Sequence, residues 1–249
     1  MNNPIFIGHG SPMNIIAQNQ YTKFLTDYAL SIPQPKAVVV ISAHWQTNGT
    51  FITGDSNPEQ IFDFYGFPDE LYNIKYTPQG LPELAEFITK NNTNIQIDYD
   101  RGIDHAGWSI MQHMYPAQNI PLLQMSLDIN KSEQQHFLLG QELIKFLDKD
   151  ILFIGSGNII HNLRQRSAKP LEWAIEADNW FKDKINNYSI DKLINYKLHL
   201  NNYQQAIPTD EHYLPLLYIL GMKQEHQGIK TIYEEIQDGN ISMRSFEID

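Results

Sequence analysis

The chain has 249 residues, enough to bury a full hydrophobic core without staples. Lys and Arg total 18 against 29 Asp and Glu, a formal charge of −11, so no positive field exists to gather nucleic acid or anionic lipid. Cysteine is absent, which excludes disulfides, thiolate nucleophiles and cysteine-held zinc or iron–sulfur centres; any metal must be held by His, Asp or Glu.

In chain order, Pro4 to Gly8 reads as a buried strand, followed by an amphipathic helix at Tyr21 to Ser31 and strands at Lys36 to Ser42 and Phe51 to Thr53. Gly54 to Gly80 forms a long aromatic, Pro-bearing loop, of the kind that serves as a lid or binding wall. A helix at Leu81 to Lys90, a strand at Ile95 to Tyr99, a helix at Ser109 to Met114 and a strand at Pro121 to Ser126 come next. Ser132 to Leu147 reads as helix, Ile151 to Ile154 as strand and Pro170 to Asn187 as helix. Thr231 to Ile236 and Ile241 to Phe246 flank Asp238-Gly239-Asn240, a turn signal for a terminal hairpin. The alternation predicts an α/β fold, one domain over residues 1–249, with a central mixed, largely parallel sheet flanked by helices. No apolar run approaches the roughly 20 residues of a membrane span. Met1 to Asn3 lead directly into an apolar segment without a secretory pattern, so a cytoplasmic protein with no membrane partner is expected.

Nine histidines beside no cysteines set the chemistry. His9 leaves the first strand between Gly8 and Gly10, His44 ends the run from Val38 to Trp45, and His161 follows Ile151 to Gly157 by one short turn into a helix. Three strands thus release an imidazole at their carboxyl ends, where open α/β sheets bind ligands, and a metal site is expected there. A lone histidine after a strand is more often a structural hydrogen-bonding group; these three and His212 together carry more weight. His212 lies in Thr209 to Leu217, where Thr209 suits a helix N-cap and His212 shares an inward face with Leu216 and Ile219. His105 sits in a polar loop before a helix, with Asp104 or a nearby carbonyl to orient it. His113, His136, His199 and His226 lack such a context and are assigned no chemistry. A Ser-His-Asp triad using Ser11 or Ser156 stays open, although no Gly-x-Ser-x-Gly elbow occurs, and neither a Gly-x-Gly-x-x-Gly nor a Walker pattern is present.

Five motifs then stand in order along the chain: Ile7-Gly8-His9-Gly10-Ser11-Pro12-Met13-Asn14, Ser42-Ala43-His44-Trp45, Gly66-Phe67-Pro68, the run from Gly155 to Leu163, and Glu211-His212-Tyr213-Leu214-Pro215-Leu216-Leu217. Together they resemble the DOPA 4,5-dioxygenase branch of the class III extradiol ring-cleaving dioxygenases. The resemblance implies a single-domain α/β fold with one non-haem metal held by His9, His44 and His212, and His161 as either a further ligand or the acid/base. Related branches use a carboxylate as third ligand, so Glu211 stands as the alternative to His212. A catechol and molecular oxygen are the implied partners, with His105 hydrogen-bonding one of them. Fe(II) is the expected metal, since Zn(II) lacks redox chemistry although it can occupy such a site. Phe64, Tyr65, Phe67 and Trp108 are candidates to wall the ring. The chain departs from the family at Ala106, where Gly commonly follows Asp-His, and at Phe62, where a His often precedes Asp-Phe. A zinc-dependent hydrolase using the same histidines is the alternative reading, and a metal-binding protein without turnover a third. A monomer or small homo-oligomer is expected.

Overall fold

A computed structural model describes residues 2–249. In chain order the elements are β1 (Ile5–Gly8), α1 (Gln20–Ser31), β2 (Ala37–Thr47), β3 (Thr50–Thr53), α2 (Asp69–Tyr72), α3 (Pro82–Asn91), β4 (Ile95–Asp98), α4 (His105–Met114), β5 (Leu122–Asp128), α5 (Glu133–Leu143) and β6 (Ile151–Gly157). There follow α6 (Glu172–Asn186), the short α7 (Ile190–Ile194), α8 (Tyr196–His199) and α9 (Tyr203–Ala206), then α10 (Leu214–Gly221) and strands β7 (Ile229–Tyr233), β8 (Ile236–Gln237), β9 (Ile241–Ser242) and β10 (Ser245–Ile248). The chain divides into two compact units, one built chiefly from Ser11–Asn130 and Lys145–Ile154, the other from Asn3–Gly10, Lys131–Ile144 and Gly155–Asp249.

The first unit carries strands in the order β4-β3-β5-β2-β6. β2 pairs parallel with β5 and β3 parallel with β4, while β3 meets β5 antiparallel. Val38 to Ile41 are completely buried, as befits a strand covered on both faces. α1 packs on α4, α4 on β2, and α3 on β3 and β4.

The second unit holds the last residues of β6 followed by β1, β10 and β7, with β1 and β7 both antiparallel to β10. Phe6 and Phe246 stack across the β1–β10 pair at 5.6 Å. α10 is buried on every side and packs on α5 and β1. The α5–α10 approach is close because Gly140 lies against the Tyr218 carbonyl, where a Cβ would overlap it. Mixed pairing with helices between the strands bears out the expected α/β class.

Three boundaries differ from the sequence reading for local reasons. α4 begins at His105, four residues early, because the Asp104 side chain caps it by accepting from the Ala106 N–H at 3.1 Å. The helix expected from Thr209 begins at Leu214, with Pro215 in its first turn; the Thr209 hydroxyl donates to Glu211 at 2.9 Å. After β6 the chain forms no helix at His161, whose N–H instead donates to the Ala206 carbonyl at 3.1 Å. The terminal hairpin forms as β8 and β9, its turn taking left-handed φ at Asp238 (+50°) and Gly239 (+82°). Among the described residues no helix is long and apolar enough to cross a membrane.

Candidate active site

In the first unit, β2 supplies Ser42 and His44 where its register with β5 shifts between Ile41 and Gln46. Such an irregularity re-aims side chains that a regular ladder would hold in place. The loop after β3 supplies Asp63, and the first turn of α4 supplies His105. Asp63 joins the two histidines: its Oδ2 lies 2.9 Å from His44 Nδ1 and its Oδ1 2.9 Å from His105 Nδ1. The His105 backbone N–H also donates to Oδ1 at 2.9 Å. The two rings are 4.2 Å apart, edge to face.

Burial works against the Asp63 charge, but the hydrogen bonds from His105 and His44 outweigh it and hold the carboxyl well below the usual range. Burial and the neighbouring His44 push His105 below the ordinary histidine value despite Asp63. Asp63 accepts from the His105 Nδ1–H and lies in ion-pair contact with His44 Nδ1, an arrangement that favours presenting Nε2 of each ring outward.

Asp104 does not orient His105. It is fully buried and occupied by the Ser42 hydroxyl (2.9 Å), Gln124 Nε2 (2.8 Å) and Arg101 (3.0 Å). Ser42 Oγ in turn accepts from the His44 N–H at 3.1 Å, so Asp104 acts on His44 through Ser42.

In the second unit, β1 ends at Gly8 and delivers His9, whose Nδ1 hydrogen-bonds Ser156 Oγ at 2.9 Å. The turn before α10 delivers Glu211 and His212, joined from Nδ1 to Oε1 at 2.9 Å. The His161 ring stacks on His212 at 3.7 Å with 13° between planes, and the His9 ring meets His212 at 5.2 Å. Ligand atoms of His161, Glu211 and His212 lie within 4.8 Å of one another, a separation a single cation can span. Gly157 allows this crowding: a Cβ there would overlap the His212 carbonyl oxygen.

Of the residues expected at the site, the second unit thus gathers His9, His161 and His212 with Glu211, and the first pairs His44 with His105. Phe64 lies edge-on to His105 at 5.3 Å, and Trp108, fully buried, faces Phe62 at 5.4 Å. Tyr65 is 91% exposed and walls nothing. Sequence reasoning weighed Ser156 only as a triad serine, and missed Asp63 as a partner of the histidines; an acid flanked by Phe62 and Phe64 in a long loop was the available signal.

Residues 5–242 match the family described as the catalytic LigB subunit of aromatic ring-opening dioxygenase. The chain is 37% identical to the 4,5-DOPA dioxygenase extradiol of Escherichia coli K12, with 98% of this chain and 93% of the relative covered. It is 33% identical to the protein of the same name from Beta vulgaris, covering 97% and 94% respectively. The crystal structure of an uncharacterized Escherichia coli K12 protein aligns over 100% of both chains at 33% identity and a TM-score of 0.87. With the family match spanning both units and the histidines oriented by carboxylates and a serine, the chain belongs to the LigB family and is an extradiol aromatic ring-opening dioxygenase.

Proposed function

We propose that the protein opens the ring of a substituted catechol with molecular oxygen at a single divalent metal held by His9, His44 and His212, residues 1–249 acting as one cytoplasmic catalytic domain. The observation that carries this reading is the preparation of the imidazoles. His44 and His212 each engage a carboxylate through Nδ1, at 2.9 Å, which leaves Nε2 as the nitrogen that carries the lone pair. Histidines that bind metals are held in this way. An all-nitrogen and oxygen donor set also suits a non-haem Fe(II) centre.

Fe(II), when bound, supplies the one-electron exchange that lets triplet oxygen react with a singlet catechol, which redox-inert Zn(II) does not. Neutral imidazole ligands leave the charge of a dication uncompensated, which favours an anionic catecholate over neutral competitors. His161, stacked on His212, takes the proton of a catechol hydroxyl and returns it as general acid. His105, with Nδ1–H held by Asp63, turns Nε2 toward a substrate hydroxyl as acceptor. Phe64 offers an apolar ring beside His105, and Phe62 packs against Phe64 and Trp108 behind it. The relatives named 4,5-DOPA dioxygenase extradiol support a DOPA-like catechol as the first substrate to try.

The test is anaerobic reconstitution with Fe(II), followed by oxygen uptake with a panel of catechols and observation of a yellow semialdehyde. Uptake by the Fe(II) form and none by the metal-free protein is expected; a fully iron-loaded protein inert toward every catechol overturns the reading. His161→Ala is expected to keep its metal and lose turnover, whereas loss of metal would make His161 a ligand.

A further inference from the structure

Asn158, buried directly after the end of β6, touches three separate segments of the second unit. Its backbone N–H donates to the His212 carbonyl at 2.9 Å. Its side-chain Oδ1 accepts from the Gly10 N–H at 3.2 Å, and its Nδ2 donates to the Ser242 carbonyl at 2.8 Å, with the Met243 sulfur at 3.9 Å. Just before it, the Gly157 carbonyl accepts from the His9 N–H at 2.9 Å.

The residues on either side of these contacts matter. Gly10 directly follows His9 and takes a left-handed φ of +67°, so the backbone turns sharply as it leaves the histidine. A turn of that kind has no strand partner to hold it, and the Asn158 amide oxygen supplies one. The third anchor is itself immobile: the Ser242 hydroxyl donates to Asp178 at 2.7 Å, and Asp178 is paired with the buried Arg244. One amide side chain therefore links the segment that bears His9 to a rigid ion-paired corner, while its backbone holds the segment that bears His212.

We propose that Asn158 is a positioning residue of the histidine site: through the Gly10 N–H and the Ser242 carbonyl it sets His9 against His212, and with them the affinity for a divalent cation. This rests on the reading of His9 and His212 as metal ligands. Outer partners that orient ligating groups typically govern metal affinity by about 10–100-fold.

The experiment titrates metal-free protein with Co(II), read by its d–d absorption, and with Zn(II) by competition against a chromophoric chelator, alongside melting curves in chelator. Asn158→Ala is expected to bind both ions about 10–100-fold more weakly. Tyr218→Phe, which removes the buried hydrogen bond to His136 (3.0 Å) between α10 and α5, is the structural control. It is expected to bind within about twofold of the native protein at a comparable melting temperature. Asn158→Asp keeps the acceptor for Gly10 but sets a carboxylate oxygen against the Ser242 carbonyl where the donor stood, so its link to that corner is lost and its affinity is expected to lie between that of the native protein and that of Asn158→Ala. A folded Asn158→Ala with native affinity overturns the proposal. If Asn158→Ala does not fold, Asn158→Asp decides: a weaker affinity with an intact melting curve supports the proposal, and a folded Asn158→Asp with native affinity overturns it. Failure of the native protein to bind either ion would instead refute the metal reading itself.

Discussion

His105 gives Asp63 two hydrogen bonds on one oxygen: its ring Nδ1 and its backbone N–H both lie 2.9 Å from Oδ1. The carboxylate therefore caps the first turn of α4 and fixes the ring of that turn's leading residue in a single stroke, and its other oxygen does the same for the ring of His44.

Asp63→Asn keeps one acceptor and replaces the other with an N–H that faces an imidazole N–H. One of the two rings must then flip or change tautomer. Turnover measured as kcat/KM on the Fe(II) form is expected to fall about 10–100-fold, with folding retained.

Glu211 and His212 can be told apart by stoichiometry. If Glu211 acts by orienting His212, Glu211→Gln lowers metal affinity about tenfold and keeps one ion per chain, whereas His212→Ala loses the ion. The reverse pattern, measured by metal analysis after dialysis, would make Glu211 the ligand.

Trp108 anchors the loop that carries Asp63. Its Nε1–H donates to the Ile61 carbonyl at 2.9 Å, two residues before the acid. Trp108→Phe leaves that carbonyl without its donor and removes part of a fully buried ring, and should cost about 2 kcal/mol in urea unfolding.

Glu133 opens α5 and accepts from Lys197 at 2.6 Å. Burial raises its pKa, but Lys197 outweighs burial and leaves it below the ordinary 4.5. The folded state thus binds its proton more weakly than the unfolded chain. The resulting stability is present above about pH 5 and is lost as pH falls through the unfolded value and below. Because Glu133 is part-exposed, the effect is worth about 0.5–1 kcal/mol. Glu133→Gln should melt lower than native at pH 7, with the difference shrinking as the pH is lowered below the ordinary glutamate range.

The sequence by itself determined the alternation of the main strands and helices and the positions of the five histidines, because burial follows a period that neighbouring residues reveal; the one-turn helices α2, α7, α8 and α9 are too short to show one. Pro4 to Gly8 and Ile151 to Ile154 read as strands from their apolar runs alone, and Gly8-His9-Gly10 marks its own turn. Helix starts were less legible, since Asp104 and Pro215 act through single hydrogen bonds or a missing one. The partners of the histidines were decided only by tertiary structure. Asp63 lies 42 residues from His105, and Ser156 lies 147 from His9. A hydrogen bond is chosen by which groups folding brings within about 3 Å, and no period along the chain records that choice.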